Sequence, residues 1–270
     1  MADEYAFPKG QLMAGKRGLV MGVANHNSIA WGIAAQLAAQ GADVGLAYME
    51  SNEKRVRPLG ESIGTQLYTT FDAASDASME AAFQVVEERW GTMDFLVHAI
   101  AFAARDQIKG SFVENCTREA FAQALDISAY SFVDAARRAG RLMPNGGSML
   151  TLTYLGSERA IPNYNTMGVA KAALEAAMRY VARDLGPKGI RVNALSAGAM
   201  RTLSLAGIAG GKSMLSQGRS LSAMKQDTSM EGVAGCALWL LSDLGLSTTG
   251  EVVHVDAGFH MMGLASDEGA

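Results

Sequence analysis

Cysteine is nearly absent from this chain: Cys116 and Cys236 are the only two in 270 residues, and they stand far apart. Two thiols could close one bridge, but they give no disulfide framework, and a reducing cytoplasm is the simpler setting. Asn115-Cys116-Thr117 matches a glycosylation acceptor, which reads as chance without a secretory leader. An excess of either charge is missing as well. The 23 Lys and Arg against 27 Asp and Glu leave a net charge of −4, so nothing points to a nucleic-acid partner or an anionic membrane surface. No apolar run reaches the length of a membrane span. The opening "MADEYAFPKGQLMAGKRG" carries acidic residues and lacks the apolar core of a signal peptide. Internal repeats, charge blocks and low-complexity linkers are also absent.

What remains is an apolar chain, 49% hydrophobic, long enough for one globular domain with a substantial core. Short apolar runs alternate with helical patterns. Residues 17–24, 43–49, 93–102, 146–155, 190–200 and 250–259 read as strands, with a further strand ending before Phe71. Residues 28–41, 76–91, 117–143, 164–185 and 230–243 read as helices. The strands are continuous apolar runs, as a sheet buried on both faces requires. Strand and helix in alternation predict a single doubly wound α/β domain over residues 1–270, with a parallel sheet covered by helices on both faces. Residues 201–230 break the pattern with small, polar and methionine residues and read as a helical substrate-binding flap. Residues 260–270 read as an exposed tail.

The first strand runs into "GVANHNSIAWG" (22–32), which opens onto a helix. A tight turn at a helix N-terminus presents backbone N–H groups and a positive dipole end to a pyrophosphate, and the first βα turn of a doubly wound sheet is where dinucleotides bind. The spacing is not G-x-G-x-x-G, and Ser28 could instead be a simple N-cap. After the second strand, Glu50 could bind an adenosine ribose or be an exposed turn carboxylate. Lys54 and Arg55 could accept a 2′-phosphate, but no basic residue stands at the strand end itself, so NADH is expected over NADPH. Asp72 could accept an adenine amino group or cap a helix. The histidines at 26, 98, 254 and 260 have no close ligand spacing, so no metal is expected.

The stretch "YNTMGVAK" places Tyr164 and Lys171 seven residues apart, close to two helical turns, so they share a face. A neighbouring ammonium favours the phenolate, so the pair is expected to lower the tyrosine pKa and form an acid/base unit. Taken alone, the pair reads more readily as a surface aromatic and a solvated charge.

With "GVANHNSIAWGIA" (22–34), "YLGSERAIPNYNTMGVAKAALEA" (154–176), "GIRVNALSAGAMRTL" (189–203) and "GEVVHVDAGF" (250–259) in this order, the chain resembles the bacterial enoyl-[acyl-carrier-protein] reductases. These are a divergent branch of the short-chain dehydrogenase/reductase superfamily, and the resemblance runs from about Leu12 to Phe259. The wider superfamily carries Tyr-x-x-x-Lys with a serine about thirteen residues before the tyrosine. Here Gly168 occupies the fourth position and Thr151 stands thirteen before. The Tyr-x6-Lys spacing after a second tyrosine, Tyr154, is the enoyl reductase pattern.

The resemblance implies that Tyr164 directs its hydroxyl at the substrate thioester carbonyl, that Lys171 bonds the nicotinamide ribose, and that Tyr154 lies beside the substrate. It places Gly22, Ser28 and Ile29 at the pyrophosphate, Met49, Asp72 and Ala73 on the adenosine side, and Ile100 at the adenosine ribose. Met200, Arg201, Thr202, Leu203 and Ser204 fall along the nicotinamide and phosphates, and Ala103 at a substrate-contacting backbone position. It also implies an enoyl thioester on acyl carrier protein as substrate and a homotetramer. His254, by its place in a strand, reads as a packed or interface residue. Ala101 stands where the family often has glycine, and Ala199 and Ala223 where it often has proline, which bears on pocket width and flap rigidity. A carbonyl or alcohol reductase of the wider superfamily and a non-catalytic NAD-binding sensor are the competing expectations.

Overall fold

Successive residues of Arg17–Met21 send their side chains to opposite sides: Val20 joins one apolar cluster, Leu19 and Met21 another. A strand covered on both faces must do this. In the computed structural model, which describes residues 5–208 and 210–263, this strand (β1) is followed by β2 (Asp43–Tyr48), β3 (Tyr68–Thr70), β4 (Phe95–His98), β5 (Gly147–Thr153), β6 (Ile190–Ala197) and β7 (Val252–Val255). All pair in parallel, in the order β3-β2-β1-β4-β5-β6-β7. The order reverses between β1 and β4, and ligands of such sheets bind in the crevice at that switch point, beyond the strands' carboxyl ends.

The helices are α1 (Ile29–Ala39), α2 (Glu53–Ser62), α3 (Asp76–Trp90), α4 (Arg105–Ile108), α5 (Phe112–Asn115), α6 (Arg118–Leu125), α7 (Ser131–Arg141), α8 (Asn165–Leu185), α9 (Leu203–Ala206), α10 (Gly211–Leu221) and α11 (Met230–Leu241). One core cluster packs α1 and α11 on the sheet through Ile33, Leu37, Val233 and Leu240. The other packs α3, α7 and α8 on the opposite face through Met79, Phe132, Leu174 and Met178. The doubly wound parallel sheet expected from the alternation is therefore present.

Several bounds differ for definite reasons. The first strand stops at Met21 because Gly22 turns to φ +99°. β4 stops at His98, and the chain beyond peels away so that Phe102 can be held by a side chain. β7 stops at Val255 because the Asp256 carboxylate accepts from the backbone N–H of Gly258 and His260 at 3.0 and 2.8 Å. The single helix expected over 117–143 is two helices joined by a π-turn at Asp126–Tyr130. There the Ser131 hydroxyl donates back to Ile127 O at 2.6 Å. Pro58 and a polar sequence concealed α2.

In the expected tail, His260 is tied to Asp256 and stacked on His254, with ring centroids 4.1 Å apart. That part is not free chain, and residues 264–270 lie outside the described set. His254 is the packed residue expected, with Glu158 3.4 Å from its ring nitrogen.

Candidate active site

The β1–α1 turn is built to bring backbone close to a ligand. Gly22 donates to Ala47 O at 2.9 Å, and a Cβ at this position would lie 2.2 Å from Ala99 O. No side chain fits, and the left-handed φ favours glycine in any case. Ser28 precedes α1, yet its hydroxyl donates to Asn25 O at 2.6 Å and makes no side-chain cap. The first turn of α1 thus keeps its amides and its positive dipole end without side-chain competition, beside a cavity of about 200 Å³ that Gly22, Ser28, Ile29 and Ala30 help to line. Such an end suits a dinucleotide pyrophosphate.

Across that cavity stand Tyr154, Tyr164 and Lys171. Tyr164 is the residue just before α8 rather than its first helical residue. Its ring lies edge-on to Tyr154, with centroids 4.9 Å apart and planes at 67°, an arrangement worth about 0.5–1.5 kcal/mol beyond burial. Beneath the ring is Gly156, where a Cβ would come within 2.3 Å of the Tyr164 ring. Gly168, one turn into α8, approaches Gly156 so closely that its Cβ would lie 2.5 Å from the Gly156 carbonyl. Position 168, where a Tyr-x-x-x-Lys sequence would carry its lysine, therefore has no room for a side chain. Lys171 enters the site from further along and donates to Leu152 O at 2.6 Å.

The electrostatics overturn one expectation. Tyr164 is buried, and burial pushes its phenol pKa far up, with Tyr154 and Glu175 adding to the rise. Lys171 is not among the groups that shift it; the Lys171 ammonium donates to Leu152 O at the end of β5. Tyr154 is raised to about 12, first by burial and then by Asp256. Lys171 is lowered to about 8 by burial, which Glu175 opposes. The pair is accordingly a neutral phenol beside a buried ammonium. A neutral phenol is a hydrogen-bond donor to a developing oxyanion.

Thr151, thirteen residues before Tyr164, turns its hydroxyl away from the cavity and onto His98 Nδ1 at 3.2 Å. His98 is fully buried, meets Ser131 Oγ at 2.8 Å, and is driven down to about 3 by burial and then by Lys171.

Of the other expected residues, Ile100, Met200, Thr202 and Leu203 line the same cavity, as do Ala101 and Ala199. Arg201 is exposed and lines a larger open groove of about 1020 Å³ under the flap. The side chain of Ser204 is outside the described set. Met49, Asp72 and Ala73 lie at the ends of β2 and β3, outside the cavity. Asp72 Oδ1 accepts from Ala74 N at 2.9 Å and shapes its own turn. Glu50 is exposed. Ala103 packs on the cluster that holds Tyr164 and does not reach the cavity wall.

Five residues were not singled out in the sequence reading. Leu205, Ile208 and Met214 of the flap complete the cavity's apolar wall. Ser128, in the π-turn, accepts from Phe102 N at 3.0 Å and donates to Phe102 O at 3.2 Å, clamping the loop after β4. Glu175, buried on α8, accepts from the Thr153 hydroxyl. The i, i+4 spacing of Lys171 and Glu175 was the signal for the last; nothing in sequence marks a serine as a loop clamp.

A switch-point crevice, an uncapped helix N-terminus and a Tyr/Lys pair across from it define a dinucleotide-dependent oxidoreductase of the short-chain dehydrogenase/reductase class. Comparison narrows the class. The family model described as enoyl-(acyl carrier protein) reductase matches residues 22–260. An enoyl-[acyl-carrier-protein] reductase [NADH] from Rhizobium meliloti is 49% identical over 254 residues, spanning 94% of this chain and 93% of its own. The crystal structure of the Anaplasma phagocytophilum enoyl reductase in complex with NAD superposes with a TM-score of 0.92 at 48% identity, covering 97% of this chain and all of that one. The Bacillus cereus enoyl-acyl carrier protein reductase, solved with NADP+ and an indole naphthyridinone, gives 0.91 at 45% identity, covering 94% and 100%. This chain belongs to the enoyl-[acyl-carrier-protein] reductase family.

Moving the lysine to the more usual spacing, as Gly168→Lys with Lys171→Ala, should fail. The new side chain meets the Gly156 carbonyl, so thermal unfolding should show a loss beyond that of Lys171→Ala alone, by about 1–3 kcal/mol or more.

Proposed function

We propose that Tyr164, Lys171 and Tyr154 carry the reduction of the trans-2 double bond of an enoyl thioester, borne on acyl carrier protein, to the saturated acyl thioester. The enzyme is an oxidoreductase of fatty acid synthesis, and its cofactor is NADH. The observation that supports these roles is the neutral Tyr164 phenol and the buried Lys171 ammonium lining one cavity with the uncapped start of α1. NADH supplies the hydride that adds to C3 of the enoyl group. Negative charge then develops on the thioester oxygen, Tyr164 donates its hydroxyl hydrogen bond there, and a proton added at C2, from the Tyr164 hydroxyl or a water, completes the saturated thioester. Tyr154, edge-on to Tyr164, fixes that ring's orientation and lines the substrate side. Lys171, anchored on Leu152 O, keeps further N–H donors for the nicotinamide ribose. Gly22, Ser28 and Ile29 hold the pyrophosphate side.

Leu203, Leu205, Ile208 and Met214 give the acyl chain an apolar wall. The open groove beside them is lined in part by Arg201 and Lys212, cations suited to the phosphate of the carrier's pantetheine arm. A carbonyl reductase is disfavoured because the Thr151 hydroxyl, in the place of the superfamily serine, is committed to His98. Cys116 and Cys236 are both free thiols, which supports a cytoplasmic setting. No helix among the described residues is long and apolar enough to cross a membrane.

A homotetramer is the assembly that the surface supports. On α8, Val169 and Tyr180 are exposed on one stripe with Ala173 and Ala176 between them, next to Tyr130 and Val133. Further exposed apolar side chains flank β7, an edge strand, in sequence: Trp239, Leu244 and Leu246 before it and Met261 after it. Two separate faces, each pairing with its own copy, would generate a dimer of dimers. Light scattering should return four times the chain mass, and Tyr180→Asp should reduce it to the dimer; a wild-type monomer contradicts the assignment.

Purified enzyme should oxidise NADH with an enoyl carrier-protein thioester, and faster than NADPH. Tyr164→Phe should lower kcat by about 10²–10³-fold while NADH still binds. Turnover of a 3-ketoacyl thioester in place of the enoyl one would overturn the reading.

A further inference from the structure

We propose that Glu175 is a positioning residue for Lys171: its buried carboxylate, fixed by the Thr153 hydroxyl, keeps the lysine an ammonium within the dry site. The inference rests on the reading of Lys171 as the group that meets the nicotinamide ribose. Lys171 and Glu175 are one turn apart on the same face of α8 and each is only 6% exposed. The order Lys then Glu is the weaker orientation for helix stability, so support of α8 does not account for the pair. A carboxylate this deep is costly without partners, and the partner on the page is Thr153, which donates to it from the end of β5. Thr153 stands between Leu152, whose carbonyl receives Lys171, and Tyr154. Three consecutive residues thus hold the lysine, hold its counter-charge and present a tyrosine to the cavity.

Among the described residues, the other titratable groups nearby are otherwise engaged. His98, from β4, is neutral and hydrogen-bonded to Thr151 and Ser131. Tyr164, before α8, and Tyr154, after β5, are neutral phenols. Asp256, after β7, is engaged by His260 and acts on Tyr154. Burial draws Lys171 down to about 8, and Glu175 is the group that opposes it. The sign follows directly. Removing a carboxylate near an ammonium lowers the ammonium's pKa further. Lys171 then loses its proton within the neutral range, and binding that depends on its donors weakens at lower pH.

The test is the dissociation constant of NADH, read by fluorescence across pH for the wild type and for Lys171→Met, Glu175→Gln, Glu175→Asp and Thr153→Val. Wild-type binding should weaken above about pH 8, and Lys171→Met should remove that alkaline limb. Glu175→Gln keeps the shape and an acceptor for Thr153, and should move the limb down by about one pH unit or more. Affinity on the acid plateau should stay within about two-fold. Glu175→Asp should retain most of the wild-type position, and Thr153→Val should shift the limb the same way by less. If Lys171→Met leaves the limb in place, the reading of Lys171 fails and the inference with it. If Lys171→Met removes the limb and Glu175→Gln leaves it unmoved, only the inference falls. If Glu175→Gln does not fold, Thr153→Val and Glu175→Asp decide by the same shift: wild-type limbs in both overturn the proposal.

Discussion

The contact between Gly168 and the Gly156 carbonyl governs the rest of the site. Because neither position admits a side chain, α8 settles directly on the chain leaving β5, and that seating fixes everything further along the helix. Tyr164 drops its ring onto Gly156. Lys171, one turn beyond Gly168, reaches Leu152 O, and Glu175, a turn further, reaches Thr153. The seven-residue interval between tyrosine and lysine is thus a steric consequence. The helix approaches too closely for a lysine at the fourth position, so the cation comes from the next turn.

Close seating also dries the site, and dryness sets its chemistry. Desolvation penalises charge, so it lifts both tyrosines and depresses the lysine. The outcome is a neutral phenol and a buried cation lining one cavity, the protonation pattern that the proposed oxyanion stabilisation needs. Under this layer His98, Thr151 and Ser131 form a second, fully buried polar set. It ties β4 and β5 to the π-turn, from which Ser128 clamps the loop at Phe102. Position 151 therefore serves the scaffold, and the hydroxyls left lining the cavity beside it are those of Tyr154 and Tyr164.

Sequence periodicity made the sheet legible, since continuous apolar runs separated by helices leave few alternatives to a doubly wound fold. It also brought out the Tyr/Lys pair and the glycine turn at 22. The adenosine side was less legible: Asp72 reads as a ligand in sequence, but its carboxylate closes its own turn. The lowered tyrosine pKa was misjudged because helical spacing reports which face two side chains share. It does not report how deep they lie or which carbonyl has already taken the lysine. The π-turn was invisible for a related reason: its Ser128 hydroxyl meets the backbone of Phe102, distant in sequence, and nothing in the local pattern marks Ser131 as bonding Ile127 O.

The neutrality of Tyr164 is the claim on which the account stands. A spectroscopic pH titration of tyrosine ionisation, taken as the difference between the wild type and Tyr164→Phe, tests it directly. Burial and the neighbouring Glu175 predict no tyrosinate from this residue below about pH 10, the ordinary tyrosine value. Tyrosinate appearing near neutral pH and lost in Tyr164→Phe would mean that the lysine does create a phenolate, and the donor role would be contradicted.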